Sequence, residues 1–227
     1  WGSHLGKSSS SLVNASTWAL MFTGRVLDER DTRPLKALRG AVKRMGEPVI
    51  RRATREAMRV MGRQFVLGET MDKAMDRASK MEAKGYTYSY DMLGEAAMTY
   101  ADAERYRKAY EGAIEKISRA ATKGDIATNP GISVKFSALH PRYEMAQRDR
   151  VLDELVPIVR ELAARAAELG IGFNIDAEEQ DRLTLSLEII EKVLEDDRLA
   201  GWNGFGVVVQ AYGPRCSSVI DWIAQTA

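Results

Sequence analysis

A short alternating apolar run that ends in acid constrains the fold more than any other feature. Gly170-Ile171-Gly172-Phe173-Asn174-Ile175 leads directly into Asp176-Ala177-Glu178-Glu179, which places three carboxylates within four residues. A strand of this kind delivers an acid from its C-terminal end, where barrel and doubly wound α/β folds collect their chemistry. Two more runs repeat the pattern with one polar residue near the end, Ile132–Leu139 with Lys135 and Phe205–Tyr212 with Gln210. A fourth, Tyr86–Asp91, is aromatic and alternating, hence strand-like.

Helical patterns separate these runs. Thr99–Ala121 reads as a long helix, and Val151–Leu169 carries an apolar stripe through Leu155, Ile158, Leu162 and Ala166. Pro157 is expected to kink it and Gly170 to end it. Leu183, Leu187, Ile190 and Leu194 mark another helix, and a last one runs from about Cys216. Strands alternating with helices predict βαβ units and a parallel sheet. A closed (β/α)8 barrel takes about 250 residues, more than the stretch 85–227 provides, so the alternatives are half a barrel or a small open sheet.

Residues 1–84 have a different texture. The start to Ser11 is Gly/Ser-rich; its Gly6-Lys7-Ser8 lacks the preceding glycine and strand of a phosphate loop. Helices are expected at Ala15–Val26, at Pro34–Met45, at Glu47–Arg63 with Pro48 in its first turn, and at Thr70–Lys84 with Gly85 as the stop. Between Arg33 and Arg63 stand ten Lys/Arg and two Glu. Such a bias suits lipid headgroups, nucleic acid or an acidic partner, or else a solvated helical face. The net charge of the whole chain is only +1, which argues against a globally electrostatic nucleic-acid binder, and no nucleic acid is favoured. The single Cys216 excludes an internal disulfide and suits a reducing compartment. No apolar stretch approaches the roughly 20 residues that span a bilayer, so a cytoplasmic protein is expected.

Each candidate site residue has a bland counterpart. Lys135 in an apolar strand suggests a substrate carboxylate or phosphate, the alternative being an edge lysine with its head in water. Asp176 could pair with Lys135, hold a cationic nitrogen or accept a ligand hydrogen bond. Glu178 and Glu179 read as loop carboxylates, solvated or placed at a helix N-terminus. Gln210 can read a heterocycle edge or serve as a structural amide. Asp91 and Glu95 fall in the layer of Lys135 if their strands are neighbours, giving a structural or gating ion pair. His4 and His140 lack metal-ligand spacing, so no metal is expected. Gly201-Trp202-Asn203-Gly204 precedes a strand and reads as a turn.

Four longer motifs then stand in order: Tyr88-Ser89-Tyr90-Asp91-Met92-Leu93-Gly94-Glu95-Ala96-Ala97, Gly131 to Tyr143, Asn174 to Glu179, and Gly201 to Gly204. Together they resemble the proline dehydrogenase domain of the bacterial bifunctional proline utilization A family, over nearly the whole chain. The resemblance implies a helical arm and α-domain at 1–84, followed at 85–227 by the first four β/α units of a (β/α)8 barrel. It also implies FAD-dependent oxidation of L-proline to Δ1-pyrroline-5-carboxylate, with electrons passed to a membrane quinone at the inner membrane. By position, Lys135 meets the proline carboxylate and Asp176 lies beside flavin and substrate. Ala177, Val208 and Gln210 contact the isoalloxazine, while Glu95, supported by Asp91, joins a gating ion pair. A cation for a carboxylate, an acid near a secondary amine and an amide against a flavin edge are what hydride abstraction from an amino acid needs. The family's remaining barrel half and aldehyde dehydrogenase domain are implied partners, as is a homo-oligomer. The alternative is an inactive fragment or helical interaction module that cannot hold FAD without that half.

Overall fold

The computed structural model describes residues 33–226. The expectations for Ala15–Val26 and for the Gly/Ser-rich start lie outside the described residues. The chain forms two compact units, Trp1–Glu69 and Thr70–Ala227.

In the first unit, one helix, α1, runs from Arg33 to Phe65 with Pro48 inside it. The two separate helices expected on either side of Gly46 are therefore continuous. A proline removes one backbone donor and crowds the carbonyl four residues back, but an exposed helix face can tolerate this loss; Pro48 is exposed.

The second unit opens with α2 (Met71–Glu82), whose N-cap Thr70 accepts from the Lys73 N–H at 3.3 Å. Gly85, at φ 92°, turns the chain out of it. Then follow β1 (Ser89–Asp91), α3 (Tyr100–Ser118), β2 (Gly131–Val134), α4 (Phe136–Leu139) and α5 (Arg148–Glu168). The order closes with β3 (Gly172–Ile175), α6 (Leu183–Leu194), β4 (Phe205–Val207) and α7 (Cys216–Thr226). Thr99 and Asp102 form a reciprocal capping box that starts α3. Among the described residues no helix is long and apolar enough to cross a membrane.

All four strands are parallel and lie in chain order, β1-β2-β3-β4. Register separates the two faces, because paired residues of neighbouring strands share a face. Tyr90, Ile132, Phe173 and Phe205 form one row, which is apolar. Here α3 packs against β2 and α5 against β3, burying Ile114, Ile117, Leu155, Val159 and Leu162 with Ile132, Val134, Phe173 and Ile175. Each such side chain contributes about 1.5–3 kcal/mol on leaving water.

The next row, Asp91, Ser133, Asn174 and Gly206, is polar or small. Ser89 and Ser133 share a hydrogen bond at 2.9 Å, and the Asn174 amide donates to Ser89 at 3.0 Å. Gly206 makes room for this: a Cβ there would fall 1.9 Å from Asn174 Oδ1.

The strands are shorter than the apolar runs. β2 ends at Val134, and Phe136–Leu139 is a helical turn whose backbone pairs internally, with Ala138 N–H to the Lys135 carbonyl and His140 N–H to the Phe136 carbonyl, both at 3.2 Å. β4 ends at Val207. The Val208 N–H makes the last rung to the Ile175 carbonyl at 2.9 Å, after which β3 has already turned away at Asp176. Gln210 thus lies in the loop after the fourth strand.

Candidate functional site

The site forms where three strands end together. Val134 and Ile175 are the last paired residues of β2 and β3, so Lys135 and Asp176 stand side by side one step beyond. Asp91 closes β1 opposite Ser133, two residues back and on the same face as Lys135. The Lys135 ammonium donates to Asp91 Oδ1 at 2.6 Å and to Asp176 Oδ2 at 2.8 Å. The Lys135 and Asp176 side chains are only 15% and 20% exposed, against 48% for Asp91, so the pair with Asp176 is the more shielded. Burial alone would depress the lysine pKa, but hydrogen bonds and charge from Asp176 and Asp91 outweigh it and hold the ammonium above the usual lysine range. Lys135 is therefore a fixed cation, unsuited to Schiff-base chemistry, which needs a neutral amine.

Tyr110 of α3 sets the backbone of this lysine. Its hydroxyl accepts the Lys135 N–H at 3.2 Å, and burial pushes its phenol up to about 12. The sequence gives no signal for this role, because a tyrosine on an apolar helix face reads as core.

The other expected residues divide. Ala177, Val208 and Gln210 line a small cavity of about 30 Å³ with Asp176, between the loops that follow β3 and β4. Gln210 donates to the Glu178 carbonyl at 3.0 Å and accepts from Gln180. Glu95 is exposed and makes no ion pair among the described residues. Glu178, expected as a solvated loop carboxylate, instead turns inward and accepts the Ser137 N–H at 3.1 Å; burial raises its pKa. Among the described residues no group of three or more His, Cys, Asp or Glu could hold a metal ion.

Of the two Gln210 amide protons one goes to the Glu178 carbonyl, which leaves the other for a ligand. Ala177 and the half-exposed Val208 offer an apolar shelf next to Asp176.

Residues 74–227 match the family model described as proline dehydrogenase. The chain belongs to the proline dehydrogenase family. Residues 1–65 match a second model, the DNA-binding domain of proline dehydrogenase. The whole chain is 52% identical to the bifunctional protein PutA of Rhizobium meliloti and 50% identical to that of Salmonella typhimurium. It spans only 18% and 17% of their lengths. A solved structure of a Bradyrhizobium japonicum proline utilization A variant superimposes on all of this chain, and on 23% of its own, with TM-score 0.68 and 43% identity. The proline dehydrogenase match takes in every strand and each residue of the Asp91–Lys135–Asp176 group.

Proposed function

We propose that this chain is part of a flavin-dependent proline dehydrogenase, which oxidises L-proline to Δ1-pyrroline-5-carboxylate at the C-terminal edge of the sheet. The observation that carries the reading is the Lys135 ammonium held between Asp91 and Asp176 in a chain of this family. Two of its three N–H bonds are used, and the third is available for the proline carboxylate. Asp176, beside that carboxylate site, accepts from the secondary amine and orients it. Oxidation removes a hydride from carbon and a proton from nitrogen; FAD, when bound, supplies the hydride acceptor. Ala177, Val208 and Gln210 would hold the flavin edge, and Glu95 would gate the entrance with Asp91 in support.

Four parallel strands in chain order, without the reversal of a doubly wound sheet, support the first half of a (β/α)8 barrel. The rest of the barrel and the second enzyme of the bifunctional relatives would come from further polypeptide. A membrane quinone as electron acceptor and a homo-oligomer complete the proposal.

The visible spectrum of the purified chain, before and after anaerobic proline, tests it. A flavin band that bleaches supports the reading. A flavin-loaded protein that proline leaves oxidised overturns it, and a chain without flavin supports instead an inactive fragment.

A second reading applies to α1 alone. Its ten Lys/Arg between Arg33 and Arg63 coincide with the match to a DNA-binding domain, so we infer that this segment contacts nucleic acid. Duplex titrations at two salt concentrations test it, since phosphate contacts weaken steeply with salt. Absent or salt-insensitive binding would leave α1 a solvated helix.

A further inference from the structure

The loop between β1 and α3 leaves the site at Asp91 and carries Glu95. Within it Ala96 has φ 54°, the one non-glycine residue with positive φ among the described residues. A left-handed backbone is disfavoured for a residue with a Cβ, so surrounding contacts must hold it there. They come from Ser137. The Ala96 N–H donates to Ser137 Oγ at 3.1 Å, and the Ala97 N–H to the Ser137 carbonyl at 2.8 Å.

Ser137 is itself fixed from the other side. Its N–H donates to Glu178 Oε1 at 3.1 Å. Ser137 thus ties two segments together, its hydroxyl and carbonyl accepting from the β1–α3 loop and its N–H donating to Glu178. These groups lie on the segments following β1, β2 and β3, the same three that supply Asp91, Lys135 and Asp176. Gly94 lets the loop pass close to α3, since a Cβ there would fall 2.4 Å from the Tyr106 ring.

We propose that Ser137 and Glu178 form a clamp that positions the β1–α3 loop, and with it Asp91 and Glu95, against Lys135. Both are positioning residues: neither needs to touch substrate, and they act by holding the carboxylates that frame the ammonium. The clamp's role in turnover rests on the reading of this site as a proline site; its hold on the loop does not.

The test has two independent readouts in the full-length protein. Amide hydrogen exchange in Ser137→Ala is expected to speed up at Ala96 by about tenfold, the equivalent of one lost hydrogen bond, with a smaller change at Ala97, whose carbonyl partner remains. Unchanged exchange at Ala96 overturns the clamp. In Glu178→Ala, which leaves the Ser137 N–H without its acceptor, the KM for proline is expected to rise by about tenfold while kcat stays within about twofold, as loss of uniform binding requires. A fall in kcat at constant KM overturns the positioning role, as does faster exchange with unaltered kinetics. If the unsubstituted protein does not oxidise proline, the reading of the site fails while exchange at Ala96 still decides the clamp.

Discussion

Lys135 spends two of its N–H bonds on Asp91 and Asp176, so removing it has separable effects on binding and on folding. Lys135→Ala is expected to lower kcat/KM for proline by about a hundredfold, the equivalent of one strong hydrogen bond to a charged group. Water can solvate the half-exposed Asp91, but the shielded Asp176 is left without its cation, so the melting temperature is expected to fall as well; equal turnover in mutant and parent would sink the assignment. Glu154 shows the opposite kind of residue, a carboxylate that works through structure. It accepts from Arg150 at 2.9 Å, Tyr100 at 2.9 Å and the buried His140 at 3.0 Å, and these bonds, the Arg150 one foremost, hold its pKa near 2. A depressed carboxyl stabilises the fold above its ordinary value, and that contribution disappears as pH falls from 4.5 towards 2. Glu154→Gln should therefore flatten the acid limb of a melting-temperature profile in this window; an unchanged limb would show that the network carries no stability. Lys135 and Asp176 were legible in the sequence because a charged residue at the end of an apolar run has few other reasons to be there. Ser137 and Glu178 were not, since a serine and a loop glutamate acquire a role only when separate strand ends meet.

At the scale of elements, the order and type of the strands and of the long helices after Gly85 could be read from periodicity and turn residues, but their ends, and the helical turn at Phe136–Leu139, could not. The runs Ile132–Leu139 and Phe205–Tyr212 stay apolar past the point where a neighbouring strand is present to pair with them. Strand length is therefore set by the partner, and the remaining apolar residues fold into a helical turn or a loop. The helix α6 shows a related ambiguity. Its expected stripe was Leu183, Leu187, Ile190 and Leu194, but the buried face is Leu185, Ile189, Ile190 and Val193. Leu183 and Leu187 instead line the small cavity beside Asp176. A helix apolar on two faces does not reveal which one meets the sheet. In α5 the helix continues from Arg148 to Glu168 through Pro157. Both Pro157 and Asp153, whose carbonyl loses its partner, are exposed, so water can replace the missing bond. Pro157→Ala restores the donor and is expected to stabilise the protein by about 2 kcal/mol, the interior-proline cost less the entropy that proline removes from the unfolded chain. Denaturant unfolding measures this directly, and a destabilised variant would mean that the proline fits a bend the packing requires.

Across the whole molecule, the position of the core decides what can fold alone. Among the described residues every buried hydrophobic side chain lies at Ala74 or later, inside the unit Thr70–Ala227. The helix α2 takes part in that core. Ala74 and Ala78 are buried, α2 packs against α3, and Lys116 reaches back to Asp72 at 2.8 Å. A change of texture at Gly85 marks where strands begin, which is a statement about local pattern and not about where cooperative packing begins. We therefore place the folding boundary before Thr70. A piece comprising 70–227 should melt cooperatively with near-ultraviolet circular dichroism like that of the parent. A piece comprising 85–227 uncovers the side of α3 that α2 shields, and should lose about 2–4 kcal/mol by the cost of exposing one apolar helix face. Because the ion pair between Lys116 and Asp72 is exposed at both ends, high salt should leave this difference nearly unchanged. Equal stability of the two pieces would return the boundary to Gly85, and α2 would then be a helix that rests on the sheet unit without supporting it.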